Sequence, residues 1–135
     1  MRKGMCFLIC FLAMIFMQGC ADFEKQAYTS VLAAGKTYDI SMKTAARLYE
    51  EKKITEEQKT KILAVGTVYY GTYQASVEAL LIYHDAKDKD VAKDKARQAV
   101  TSMILRFNTF IDCYNDIVKG IEGLNPETKL EELKE

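Results

Sequence analysis

The 135-residue sequence has no Trp, one Pro, one His and no excess of either charge sign, with 19 Lys plus Arg against 19 Asp plus Glu. Each scarcity closes off a class of protein. Balanced charge removes the clustered cations that neutralise phosphates, so no nucleic-acid partner is expected. A single His, His84, excludes multi-histidine metal sites and leaves His-dependent catalysis with one candidate. Neither a Cys-x-x-Cys-His haem attachment nor the Glu-x-x-His pairs of a di-iron bundle occur. Gly35-Lys36-Thr37 imitates the end of a phosphate-binding loop, but Ser30 stands where the first Gly or Ala of that loop belongs and no strand precedes it. No metal and no cofactor are therefore expected. With one Pro, seven Gly and 49% hydrophobic residues, the chain reads as one small ordered domain rather than a disordered or low-complexity one.

Long apolar runs are also scarce, and the one present opens the chain. After the cationic Arg2-Lys3, residues Met5 to Met17 form an uninterrupted apolar stretch of 13 residues. A membrane-spanning helix needs about 20 such residues, so the length fits a signal peptide. Met17-Gln18-Gly19-Cys20 follows at once and resembles the lipobox of bacterial lipoproteins, with Met17 and Gln18 standing where that pattern prefers Leu and a small residue. The resemblance implies cleavage after residue 19, diacylation of the Cys20 sulfur, and a mature domain of residues 20–135 held on a membrane through its N-terminal acyl chains. More than one chain makes such anchoring stable, because a single chain binds reversibly. The implied location is the bacterial cell envelope. In a Gram-negative cell, Ala21 in place of the Asp that retains lipoproteins at the inner membrane points to the outer membrane, facing the periplasm. The mature part carries 17 basic and 19 acidic groups, a net charge of −2 with no polybasic strip.

From Phe23 onward apolar residues recur at spacings of three and four, which predicts helices. The first seam reads Tyr28, Val31, Gly35, Tyr38, Met42, Ala45 and Tyr49. Thr55-Glu56-Glu57-Gln58 is a capping-box signature that starts a second helix. Its seam is Ile62, Gly66, Tyr69, Tyr73, Ser76, Leu80 and Tyr83, with Leu63, Tyr70 and Val77 on an adjacent stripe, as for a helix with two neighbours. Residues 85–95, with four Asp and four Lys, read as a solvated turn and the first turn of a third helix. That helix carries Ala96, Val100, Met103, Phe107, Phe110, Tyr114, Ile117 and Ile121, and ends at Gly120 or Gly123. Asn125-Pro126 then starts a short acidic C-terminal helix. Spans of 31, 31 and 32 residues (Phe23–Lys53, Glu56–Ala86, Asp90–Ile121) with short connections predict an all-α, antiparallel up-down-up three-helix bundle. A strand over Val65 to Tyr73 is the rival, but it lacks a partner strand. Counting back equally from each turn sets Gly35 opposite Tyr73 or Gln74, and Gly66 opposite Phe110.

Cys113 is the only thiol left once Cys6 and Cys10 leave with the signal and Cys20 carries lipid. It is a candidate for an intermolecular disulfide, against the plainer reading of a small half-buried side chain on a helix flank. A Cys113–His84 dyad fails in such a bundle, since the register separates the two by about 30 Å along the axis. His84 then reads as a helix-end residue. Eight Tyr and three Phe after the signal point to an aromatic core whose phenol oxygens reach the rim, or to an aromatic groove around Tyr69, Tyr70 and Tyr73 that takes a partner helix or a small apolar ligand. Taken together, these readings describe a non-enzymatic, lipid-anchored adaptor or structural protein working through protein contacts. The alternatives are a carrier of a small apolar ligand in the aromatic groove, and an envelope exclusion or immunity factor of mobile-element type.

Overall fold

The computed structural model describes residues 20–121. Three helices follow one another: α1 (Cys20–Glu50), α2 (Glu56–Asp85) and α3 (Lys89–Val118). They run 31, 30 and 30 residues and pack as an up-down-up bundle, with α2 and α3 in the most extensive contact. There is no strand among the described residues. The expected C-terminal helix lies outside them.

The first turn is closed from both sides. At the end of α1, the Lys53 and Lys52 amides donate to the carbonyls of Leu48 (2.8 Å) and Tyr49 (2.9 Å), the paired bonds of a Schellman stop, with Lys52 in the left-handed region at φ 57°. Ile54 is buried beyond it, as is Leu48. At the start of α2, the Gln58 amide donates to Thr55 Oγ1 (3.1 Å) and the Thr55 amide to Gln58 Oε1 (2.8 Å), completing the expected capping box. The Tyr49 hydroxyl hydrogen-bonds the Glu56 carboxylate, lowering the acid's pKa and raising the phenol's, while Lys59 lies 3.9 Å from the centre of the Tyr49 ring.

The charged second turn is ordered by its own side chains. Asp88 caps α3 by accepting from the Asp90 and Val91 amides, and Lys89 Nζ donates to the last α2 carbonyls, those of Tyr83 (2.7 Å) and His84 (2.6 Å). A cation at a helix C-terminus meets both the free carbonyls and the negative end of the helix dipole. The two helices therefore end and start one residue earlier than the sequence reading set them, at Asp85 and Lys89.

The seams of α2 and α3 lie where the periodicity puts them: Ile62, Gly66, Tyr69, Ser76, Leu80 and Tyr83 are buried on one, and Ala96, Val100, Met103 and Phe110 on the other. The α1 seam is a correction. Val31 and Ala45 are buried as expected, but their companions are Ala27, Ala34, Ser41 and Leu48, each one residue before the expected Tyr28, Gly35, Met42 and Tyr49. Ala27, Ala34 and Ser41 let α1 approach its neighbours closely and Leu48 fills the space near the first turn, while Tyr28 is exposed and Met42 and Tyr49 are half-buried beside the contact. The adjacent α2 stripe is a second correction at Leu63 and Tyr70, which are exposed, whereas Val77 is half-buried against the core as expected. Each helix turns one seam to a common axis, so part of the flanking stripe of α2 stays open to solvent. Buried polar groups are mostly paired: Ser76 Oγ donates to the Tyr73 carbonyl (2.8 Å), and the Thr44 side chain hydrogen-bonds Tyr114.

At mid-height one ring from each helix meets the others. Tyr38 of α1 lies 5.0 Å from Tyr69 of α2 and 5.1 Å from Phe110 of α3, centre to centre, and Tyr69 lies 6.0 Å from Phe110. Gly66 makes this layer fit. A methyl carbon there would stand 3.3 Å from Tyr38 Cε2 and 3.5 Å from both Met42 Sδ and Phe110 Cε2, so the expected pairing of Gly66 with Phe110 holds. Gly66→Leu should lower the unfolding free energy by about 1 to 3 kcal/mol despite about 1 kcal/mol gained in helix propensity. Denaturant titration checks the sign, and a gain in stability would disprove the close packing. Lys52→Gly should instead raise stability by about 0.5 to 1 kcal/mol, because Gly accepts the left-handed conformation without the cost Lys carries there. An unchanged or lowered midpoint would contradict that account of the turn.

Candidate functional site

A cleft of about 290 Å³ opens between α1 and α2 just outside the ring layer. From α1 it is lined by Leu32, Gly35, Lys36 and Asp39, and from α2 by Tyr70 and Tyr73, with Tyr38 and Tyr69 also forming its wall. The three tyrosines singled out in the sequence thus share one site. Heptad-like spacing brings this about, because positions 32, 35, 36 and 39 stack along the α1 edge that faces positions 70 and 73 of the antiparallel α2.

Gly35 sets the closeness of the two helices here. A methyl carbon on it would lie 3.0 Å from both Cε2 and Oη of Tyr73, so the Tyr73 ring rests directly on the α1 backbone. This is the partner expected from counting back from the turn. Tyr70 has ring neighbours on α1 and α2, 6.0 Å from Tyr38 at 23° and 6.1 Å from Tyr73 at 18°, so it lies roughly parallel to each. Tyr69 is tilted more steeply, 46° to Tyr73 and 48° to Tyr38.

The phenols differ in environment. Tyr69 is fully buried, and its hydroxyl has no hydrogen-bond partner among the described residues. Burial drives its pKa far above the ordinary value, with the neighbouring Tyr73 and Tyr38 phenols and the Asp39 carboxylate adding to the rise. Tyr38 is pushed up first by burial and then by Asp39 and Tyr70. Both phenols are thus held in the neutral form at physiological pH. The expectation that core phenols reach the rim is therefore corrected at Tyr69, whose hydroxyl is enclosed.

The other singled-out residues lie elsewhere. Cys20 is the first residue of α1. Cys113 is half-buried and free on α3, near the end of the bundle that holds the first turn. His84 sits at the opposite end, where its Nδ1 lies 2.7 Å from Glu24 Oε1 and ties the end of α2 to the start of α1. Beside that pair, Phe23 meets Tyr83 edge to face at 5.6 Å. No group of three or more His, Cys, Asp or Glu gathers as a metal site among the described residues, and no described helix is long and apolar enough to cross a membrane. Leu32, Lys36, Tyr38 and Asp39 were not anticipated as parts of the site. The signal for them is the side of α1 on which Gly35 faces Tyr73, which only the register reveals. No family model, curated protein or solved structure matches the chain.

Tyr69→Phe removes an enclosed hydroxyl that has no partner, and replacing an unsatisfied buried polar group recovers about 1 to 3 kcal/mol. The substitution should raise the unfolding free energy of the full chain in denaturant titration. A loss of stability would show that the hydroxyl is hydrogen-bonded in the folded protein.

Proposed function

We propose that this protein is a non-enzymatic envelope lipoprotein, anchored through Cys20, whose bundle acts as an adaptor or structural element by binding another protein. The observation that carries the contact role is a set of three exposed apolar side chains on one stripe of α2, with Gln74 and the half-buried Val77 between the last two. Leu63, Tyr70 and Leu81 are 42%, 46% and 54% exposed, at positions that differ by seven and eleven and so return to the same face. The set spans about 27 Å at the helical rise of 1.5 Å per residue. Single exposed apolar residues are ordinary on a protein surface, but a set along one helix face is what a partner groove or helix engages. The anchoring role is supported by Gly19-Cys20 directly after the apolar run. Outer-membrane placement in a Gram-negative cell follows from Ala21 after the acylated residue.

Two measurements test the reading. Cys20→Ser should leave an unprocessed precursor that takes up no acyl label, and undiminished labelling would refute the anchor. A photoreactive residue at Leu63 or Leu81 in intact cells should yield the same discrete adduct, and one at Val68, which is 52% exposed on the far side of α2, should yield none. Adducts at all positions alike, or at none, would overturn the contact role.

A further inference from the structure

We propose that the tyrosine cleft between α1 and α2 binds a small soluble molecule through a quaternary ammonium group, held among the rings of Tyr38, Tyr70 and Tyr73 and balanced by the Asp39 carboxylate. The rings supply the first part of the case. The Tyr70 ring centre lies 6.0 Å from that of Tyr38 and 6.1 Å from that of Tyr73, with its plane tilted 23° and 18° to theirs, so neither neighbour meets it edge to face. An aromatic face is the negative part of the ring's quadrupole, and several faces around one space attract an organic cation whose charge is spread over methyl groups. Such a cation gives up little hydration on entering, unlike a primary ammonium.

Charge supplies the second part. Asp39 lines the cleft and is in no ion pair among the described residues, and after burial its charge adds to the rise in the pKa of the neighbouring Tyr38 and Tyr69 phenols. Lys36 and Asp39 are both exposed on the rim, and they differ in reach: the long Lys36 stem lets its ammonium extend into water, whereas the short Asp39 side chain keeps its carboxylate beside the rings. A neutral apolar ligand would gain nothing from Asp39, whereas an anion would be opposed by it and by every ring face. Size agrees: about 290 Å³ lies at the small end of ligand pockets, enough for a compact head group and its immediate substituents.

The source of the group follows from the height of the cleft. Gly35 lies fifteen residues after Cys20 on one unbroken helix, about 22 Å along its axis. A headgroup layer is only about 5 to 8 Å deep on each side of a bilayer, so with α1 standing along the membrane normal lipid headgroups at the level of Cys20 do not reach the cleft. This part rests on the anchoring reading, whereas the cation preference does not.

The test is calorimetric titration of the full chain in neutral maltoside micelles at low ionic strength, with choline, tetramethylammonium and the uncharged isostere 3,3-dimethyl-1-butanol. Both cations should bind, and the isostere should bind at least about tenfold more weakly. Tyr70 is half-exposed, so Tyr70→Leu should keep the helical circular dichroism while weakening choline at least about fivefold; Tyr70→Phe should stay within about twofold of the parent. Asp39→Asn should weaken choline by a similar factor of about five. Absence of binding, equal binding of the isostere, or an unaffected Tyr70→Leu would overturn the proposal. Adding phosphatidylcholine to the micelles should leave choline affinity unchanged, and a tenfold loss would assign the site to lipid headgroups and overturn the soluble source.

Discussion

The bundle depends on a single layer in which Tyr38, Tyr69 and Phe110 meet, one ring from each helix. Three large side chains at one level are accommodated only if the backbones around them are thin, and the residues nearby meet that demand. Gly66 stands against Tyr38 and Phe110, and α1 turns Ala34, Ser41 and Ala45 inward above and below its own ring. Aromatic side chains bring large buried area and preferred tilts, so a layer of this kind fixes helix rotation more tightly than aliphatic packing would. The tilted contacts of Tyr38 with Tyr69 and Phe110, at 48° and 57°, are of that sort.

The cleft is the outward continuation of the same layer. Tyr38 and Tyr69 belong to both, and Tyr70 and Tyr73 extend the ring series toward solvent along α2. Gly35 does on the cleft side what Gly66 does in the core, admitting a tyrosine ring against the neighbouring backbone. Packing and site are thus one aromatic assembly, and a change of register between α1 and α2 would dismantle both together. The enclosed Tyr69 hydroxyl is the cost of that sharing, since the ring fills the centre while its polar end finds no partner among the described residues.

Much of this architecture is legible in the residues alone. The number and length of the helices follow from periodicity, the start of α2 from the Thr55 to Gln58 capping box, and both glycine partnerships from counting across the turns. What escapes is the face of α1. Positions 27, 34, 41 and 48 compete with 28, 35, 42 and 49 as companions of 31, 38 and 45, and hydrophobicity favours the second set because it holds Tyr28, Met42 and Tyr49. Close approach of backbones favours the first, which holds Ala27, Ala34 and Ser41, and that is a tertiary preference with no trace in local pattern. The same rotation decides that Lys36 and Asp39 border the cleft. Of the site, the three α2 tyrosines were readable, and the charged α1 rim was not.

The contacts at the Cys20 end also have a mechanical meaning. Glu24 grips His84, Phe23 abuts Tyr83, and Lys93 and Arg97 lie over the Phe23 ring, so the first turns of α1 are fastened to both other helices. A pull on Cys20 directed along α1 loads these fastenings in shear, together with every contact further up the helix, and they resist as a group. A pull directed sideways meets them one at a time and peels α1 away from the α2–α3 pair. The bundle is therefore stiff toward tension along its length and weak toward tension across it, and the direction of force at its first residue decides whether the ring layer stays closed.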